Sequence, residues 1–213
     1  MPKRVTGYVD GFNLYWGSLH GSPYRWLDLL ALVEDLFRGH TVDRVKYFTA
    51  RVDDRPDDPG QSQRQDVLLK ALGVHCAPRL EIHLGNFATH KRMARLVTPL
   101  ADGRRFAKVY RTEEKASDVN LGAHLVWDAC HRAFDVACVV SNDSDLQTPV
   151  DMAVRLGAEV VTVNPHLHRR QPRCLFGTGT RRLTRGRLAR NLLPDPVVAP
   201  DGVRWCCPAS WKS

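Results

Sequence analysis

Three short stretches place acids where chemistry could follow. Asp10 stands in Tyr8-Val9-Asp10-Gly11-Phe12-Asn13, and Asp118 in Glu113-Glu114-Lys115-Ala116-Ser117-Asp118-Val119-Asn120. Asp143 and Asp145 close Val139-Val140-Ser141-Asn142-Asp143-Ser144-Asp145. Carboxylates gathered at one point repel one another unless a cation neutralises them. Hard oxygen donors open to water suit Mg²⁺ or Mn²⁺. Such an ion takes phosphate oxygens from a substrate and can activate water against a phosphodiester. Singly, each acid has a plainer role, because an Asp after a strand often only shapes a turn or caps a helix. Their joint occurrence is far more specific.

Elements must bring the three stretches together. Arg4 to Asp10 predicts a buried strand ending in an acid, and Asp135 to Ser141 a continuous apolar strand of the kind found in the middle of a parallel sheet. Beyond the carboxyl ends of such strands lies the crevice an open parallel sheet uses for function. Asp118 is expected in the first turn of a helix over Ser117–Ala133, with Ser117 as N-cap. Other expected helices are Tyr24–Phe37, Gln63–Leu72 with Gly73 as its stop, and Leu146–Leu156 ended by Gly157. Further strands are expected at Arg44–Ala50, Arg79–Leu84, Lys108–Arg111 and Glu159–Asn164. Residues 85–107 read as an irregular insertion, and the proline-rich tail from Pro194 as extended and packed on the surface. Strands alternating with helices argue for an α/β fold, a three-layer α/β/α sandwich around a mostly parallel sheet.

The chain of 213 residues suits one such domain. No apolar run approaches the roughly 20 residues that span a bilayer. No signal-peptide pattern opens the sequence, so a cytoplasmic protein without a membrane partner is expected. The six cysteines form no C-x-x-C pair and read as buried or incidental thiols. The net charge of +8 is concentrated: residues 160–194 contain no acid and eight arginines, Arg169, Arg170, Arg173, Arg181, Arg182, Arg185, Arg187 and Arg190. Guanidinium groups match phosphate oxygens, so these residues are expected to bind nucleic acid. The rival is a basic solvated surface.

Tyr8 to Tyr15, Glu113 to Leu121 and Val139 to Leu146 resemble, in order and spacing, the three signature blocks of the NYN domain family of the PIN-like nuclease superfamily. The resemblance covers roughly residues 4–165, read as the nuclease domain 1–165, and leaves 166–213 as an arginine- and proline-rich extension packed on it. It implies a PIN-like sheet and a metal-dependent endoribonuclease. Asp10, Asp118, Asp143 and Asp145 would hold Mg²⁺ or Mn²⁺ or position water, Asn13 would orient substrate or water, and Ser141 would support the site through its hydroxyl. The 85–107 insertion and the extension lie outside the blocks, and substrate choice could reside there.

Other chemistries find little support. No G-x-G-x-x-G follows the first strand, no P-loop is present, and no H-E-x-x-H occurs among nine histidines. An aspartyl phosphotransferase would want an acid at Phe12. The main alternative is a non-catalytic RNA-binding or regulatory module that keeps the fold. A metal-assisted reaction on a small phosphorylated or aromatic substrate is a third. The complete acid set favours a catalyst acting on RNA. A homodimer is one option for the oligomeric state.

Overall fold

The computed structural model describes residues 1–54, 58–167 and 174–212, with the side chains of 86–90 and 111–115 outside the description. In chain order the elements are β1 (Arg4–Asp10), α1 (Gly11–Leu14) running into a π-helical turn (Tyr15–Leu19), α2 (Leu29–Leu36), β2 (Thr41–Ala50), α3 (Gln61–His75), β3 (Leu80–Arg95) and β4 (Phe106–Lys115). Then follow α4 (Ser117–Cys130), β5 (Val136–Val140), a 3₁₀ turn (Ser144–Leu146), α5 (Gln147–Arg155), β6 (Glu159–Asn164), β7 (Gly179–Arg182), α6 (Arg185–Arg190), β8 (Val197–Val198) and β9 (Arg204–Trp205). The main sheet has the order β4-β3-β2-β1-β5-β6-β7. Every neighbouring pair from β3 to β7 is parallel, and only β4 runs antiparallel, at the edge.

Period-two alternation assigns the two faces. Val5, Val9, Val136, Cys138, Val140, Val161 and Val163 share one core with residues of α2, α3 and α6. Tyr8, Ala137, Val139 and Val160 share the other with Leu121 and Leu125 of α4 and Val150 of α5. The fold is therefore the expected α/β/α sandwich. Among the described residues all six cysteines are free, with Cys76 and Cys138 buried.

Several boundaries differ from the sequence expectations. The helix expected from Tyr24 starts only at Leu29, because the Asp28 carboxylate caps it by accepting the Ala31 N–H at 2.9 Å. Trp26 and Leu27 are buried in extended chain instead: Leu27 bridges Leu192, and the Trp26 indole donates to the Pro194 carbonyl at 3.0 Å. The tail thus does more than cover the surface, since Leu193, Val197 and Trp211 enter the core. Helix α3 continues through Gly73 to His75, carried by buried Ala71, Leu72 and Cys76. The largest difference is the 85–107 segment. Strand β3 runs on past the parallel sheet and returns as β4, pairing Asn86 with Lys115 through to Arg95 with Phe106. This hairpin arm exposes Met93, Phe106 and Tyr110. Its described side chains at 91–95 and 106–110 include no buried one, and its sequence carries no clean apolar period to read.

The arginines of the extension divide. Arg169, Arg170 and Arg173 lie outside the described residues. Arg187 and Arg190 each place a guanidinium nitrogen 2.7 Å from Asp35 Oδ2, and Arg38 joins them. Arg181 stacks over the Phe37 ring at 4.5 Å, while Arg182 and Arg185 are exposed. Helix α2 leads down to the start of β2, so Asp35 near its end lies toward the edge of the sheet opposite the candidate aspartates. Arg187 and Arg190 therefore clasp α6 onto α2.

This clasp predicts a pH dependence. Burial pushes the Asp35 carboxyl upward, but hydrogen bonds from Arg190, Arg38 and Arg187 outweigh it and hold it down at about 2. A depressed carboxyl contributes stability above its unfolded value near 3.8 and loses it as pH falls through its folded value. Urea unfolding at pH 7 should show Asp35→Asn less stable by on the order of 2 kcal/mol, with the gap closing between about pH 4 and 2. A gap constant over that window would mean the ion pairs contribute nothing.

Candidate functional site

The chain runs outward from β1 in both directions, through β2 and β3 on one side and β5 to β7 on the other. The carboxyl ends of β1 and β5 therefore form the topological switch point, where an open parallel sheet leaves a crevice. Asp10 ends β1 there, and the Ser141–Asp145 loop leaves β5 beside it.

Hydrogen bonds lock these segments together. Asp10 caps α1 by accepting the Asn13 N–H at Oδ1 (2.9 Å), and its Oδ2 accepts the Ser141 hydroxyl at 2.7 Å. Ser141 Oγ in turn accepts the Asp143 N–H at 3.1 Å. The Asn13 side-chain oxygen accepts the Asn142 N–H at 2.9 Å, fixing the β5 loop to α1. Asp143 caps the following turn through the Asp145 N–H at 2.9 Å. Asn142, not singled out in the sequence, accepts the Cys174 N–H at 2.9 Å and so ties the loop to the segment entering β7. Gly11 permits the close approach of α1 to β2: a Cβ there would meet the Tyr47 ring at 2.7 Å and the Phe48 carbonyl at 2.8 Å.

Asp118 arrives from the other side. Ala116 occupies the cap position of α4 with φ of 83°, a left-handed turn rare for a residue with a side chain. Ser117, expected to be the N-cap, is instead the first helical residue. Its hydroxyl is buried and has no hydrogen-bond partner. Although Asp118 keeps an exposed surface, partial desolvation by its neighbours, then the negative fields of Asp10, Asp143 and Asp145, raise its carboxyl to about 6. Asp118 thus lies within electrostatic reach of the other three aspartates across the crevice. Among the described residues, no three acidic, histidine or cysteine side chains stand close enough to enclose an ion by themselves.

A polar network lies behind the acids on the α4 face. Lys46 Nζ and the Tyr8 hydroxyl both reach Asp128 Oδ2 at 2.6 Å. His124 Nδ1 is 3.4 Å from Lys46 Nζ, and the His83 ring stacks on Phe48 with centroids 4.8 Å apart. Burial and the neighbouring His124 pull His83 below the ordinary imidazole range. Apart from Tyr8, none of these groups belongs to a recognisable motif, because the network is drawn from four elements, β1, β2, β3 and α4.

No family model matches the sequence. The chain is 31% identical over 241 aligned positions to the 6-hydroxy-3-succinoylpyridine 3-monooxygenase HspA of Pseudomonas putida, covering 99% of this chain and 76% of that protein. Its fold is similar to the crystal structure of a protein of unknown function from Vibrio parahaemolyticus, with a TM-score of 0.52 and 17% identity over 86% of this chain and 94% of that one.

Proposed function

We propose that this chain, which belongs to the family of the 6-hydroxy-3-succinoylpyridine 3-monooxygenase HspA, is a metal-dependent ribonuclease of NYN type that hydrolyses RNA phosphodiesters. The observation that supports this reading best is geometric: at the switch point one hydroxyl, Ser141, donates to Asp10 Oδ2 and accepts the Asp143 N–H, joining the carboxyl end of β1 to the acidic loop after β5. In chemistry the donors suit Mg²⁺ or Mn²⁺, since each of the four aspartates offers hard oxygens. Because no three described acids converge on one point, Asp10, Asp118, Asp143 and Asp145 would hold the ion largely through its own waters, with few direct carboxylate contacts. Bound there, a divalent ion supplies positive charge to the phosphate oxygens and makes water more acidic.

The protein's own groups have separable tasks. Ser141 and Asn13 orient Asp10, and Asn13 also fixes the loop that presents Asp143. Hydrolysis adds water across one P–O bond. The attacking water would pass its proton to solvent or to a carboxylate of the cluster that the ion leaves free. The released sugar oxygen takes a proton from solvent. Backbone contacts for RNA are assigned to exposed Arg182 and Arg185 and to the hairpin arm, whose residues 91–108 hold Lys91, Arg92, Arg95, Arg104, Arg105 and Lys108 against the single acid Asp102.

The relative supports a second reading, oxygenation of a hydroxylated pyridine, because the similarity runs through 99% of this chain. Such a step inserts one atom of dioxygen into the ring and reduces the other to water with two electrons from a reductant. Both readings are tested on one preparation. EDTA-stripped protein is given labelled single-stranded RNA with Mg²⁺ or Mn²⁺, or 6-hydroxy-3-succinoylpyridine with dioxygen and a two-electron donor. Cleavage restored by the ion and absent in EDTA is the expected result. Intact RNA together with dioxygen uptake and a hydroxylated product would replace it with the second reading.

A further inference from the structure

The hairpin arm leaves the sheet on the side of the acids. Strand β3 pairs with β2 as far as Gly85 opposite Ala50, at the carboxyl end of β2, and then runs on to Arg95. The return strand β4 ends at Lys115, two residues before α4, whose second residue is Asp118. At about 3.3 Å per residue, the chain from Gly85 to Arg95 reaches roughly 33 Å beyond the parallel sheet. The arm therefore rises from the same edge that holds the carboxylate crevice, two strands away from Asp10.

Pairing gives the arm two unlike faces. Residues opposite one another in an antiparallel pair share a face, and successive residues alternate between faces. Lys91–Tyr110, Met93–Lys108 and Arg95–Phe106 therefore fall on one face, and Arg92–Val109 and Ala94–Ala107 on the other. The first face interleaves three cations with a methionine and two aromatic rings. All six side chains are exposed, Tyr110 at 72%, and Lys91 Nζ lies 5.6 Å from the Tyr110 ring centre. Parity along β3 gives the side to which this face belongs. Glu81 and His83 occupy odd positions like Lys91, Met93 and Arg95, and they meet Lys46 and His124 on the α4 side of the sheet. Pleat by pleat, the face of cations and rings continues the side on which α4 carries Asp118.

Its chemistry narrows the partner. A second copy of the arm would set cations against cations, which is costly at an interface. An anionic ligand with flat apolar faces matches both kinds of side chain at once. Unpaired RNA supplies phosphates for Lys91, Arg95 and Lys108 and base faces for Phe106 and Tyr110. Positive charge along a backbone path combined with aromatic rings is how proteins hold single strands without reading their sequence. Paired RNA offers the phosphates but keeps its bases stacked inside the helix.

We propose that the face formed by Lys91, Met93, Arg95, Phe106, Lys108 and Tyr110 is a docking strip for unpaired RNA that grips the strand at a distance from the phosphate presented to the aspartates. This rests on the nuclease reading for its ligand. It adds that the grip belongs to one face of the arm, depends partly on stacking, and favours unpaired over paired RNA.

The test measures binding of a fluorescent single-stranded oligonucleotide and its duplex to the full-length protein in EDTA, with cleavage assayed separately. Tyr110→Ala and Phe106→Ala should each weaken single-strand binding roughly 5- to 150-fold, the range that stacking one base contributes. Tyr110→Phe should retain most of the affinity, because the ring remains. In these ring variants the salt slope of log Kd should stay constant, since no phosphate contact is lost, and duplex binding should change little. Lys91→Ala, Arg95→Ala and Lys108→Ala together should instead flatten that slope by up to about 2. Val109→Thr, on the opposite face, should bind like the native protein, and unchanged melting temperatures show that the variants remain folded. Single-strand affinity unaffected by both Tyr110→Ala and Phe106→Ala overturns the strip even if the protein cleaves RNA. Equal losses on the duplex, or an equal loss in Val109→Thr, overturn it too. Polyglutamate that competes with the single strand and loses affinity in the same ring variants makes the arm a dock for acidic proteins and likewise overturns it. Losses confined to the single strand, in a protein that never cleaves RNA, uphold the strip while the nuclease reading fails.

Discussion

Asp143→Asn is expected to remove divalent-dependent RNA cleavage while leaving the fold intact. Asparagine keeps a side-chain oxygen able to accept the Asp145 N–H, so the turn after β5 retains its cap. What disappears is one of the negative charges that would balance a bound cation. Losing an outer partner of a metal site already costs roughly 10–100-fold, so losing a direct ligand should exceed that. The same substitution withdraws one of the fields that raise Asp118, whose carboxyl should then titrate lower. Relief of like-charge repulsion should also raise the melting temperature measured in EDTA. Undiminished cleavage by purified Asp143→Asn protein at saturating Mn²⁺ would remove Asp143 from the site. A melting temperature that drops in EDTA would show its role to be structural.

Asp128→Ala is expected to destabilise the fold more than any substitution among the crevice aspartates. Lys46 is 6% exposed and its ammonium rests against Asp128 at 2.6 Å, with the Tyr8 hydroxyl on the same oxygen. Deleting the carboxylate leaves the buried Lys46 ammonium with Glu81 at 4.0 Å in place of its close partner, and orphans the Tyr8 hydroxyl. Breaking a buried ion pair from one side costs about 3–5 kcal/mol. Replacing the pair together removes the stranded charge, so Lys46→Met combined with Asp128→Ala should recover much of the loss. Urea unfolding of the two single variants and the double variant checks this. Additive losses across the cycle would mean that the two groups do not depend on each other. Because α4 carries both Asp118 and Asp128, divalent-dependent activity of Asp128→Ala should fall at temperatures where the parent is still fully active.

The elements that carry the acids are legible in the chain alone. Arg4–Asp10 and Glu159–Asn164 occur as read, and β5 falls within the expected Asp135–Ser141. These are short apolar runs that end in Asp, Asn or Ser, and both the run and its stop are local properties of the chain. The same locality made the three acidic blocks recognisable, since each aspartate sits at the end of an element whose own residues define it. Gly157, with φ of 88°, ends its helix for an equally local reason. The fold class followed from the alternation of these runs.

Which groups meet is a matter of packing, and no local pattern reveals it. Arg187 and Arg190 look like any other arginines in a basic stretch, yet Asp35, more than 150 residues earlier, holds them both. Charge density in a sequence gives the amount of positive charge, whereas its direction depends on which helix crosses which. Lys46 and Asp128 stand on a strand and a helix 82 positions apart, and nothing near either one names the other. Of the hairpin arm only Lys108–Arg111, within β4, was read as a strand, because backbone pairing along exposed side chains needs no side-chain period. Phe12 and Trp16 posed the opposite problem. Two large aromatics at helical spacing ordinarily mark a buried face, and only the packing of Gly17 against the end of β6 turns that helix so that its aromatic face looks outward beside Asp10.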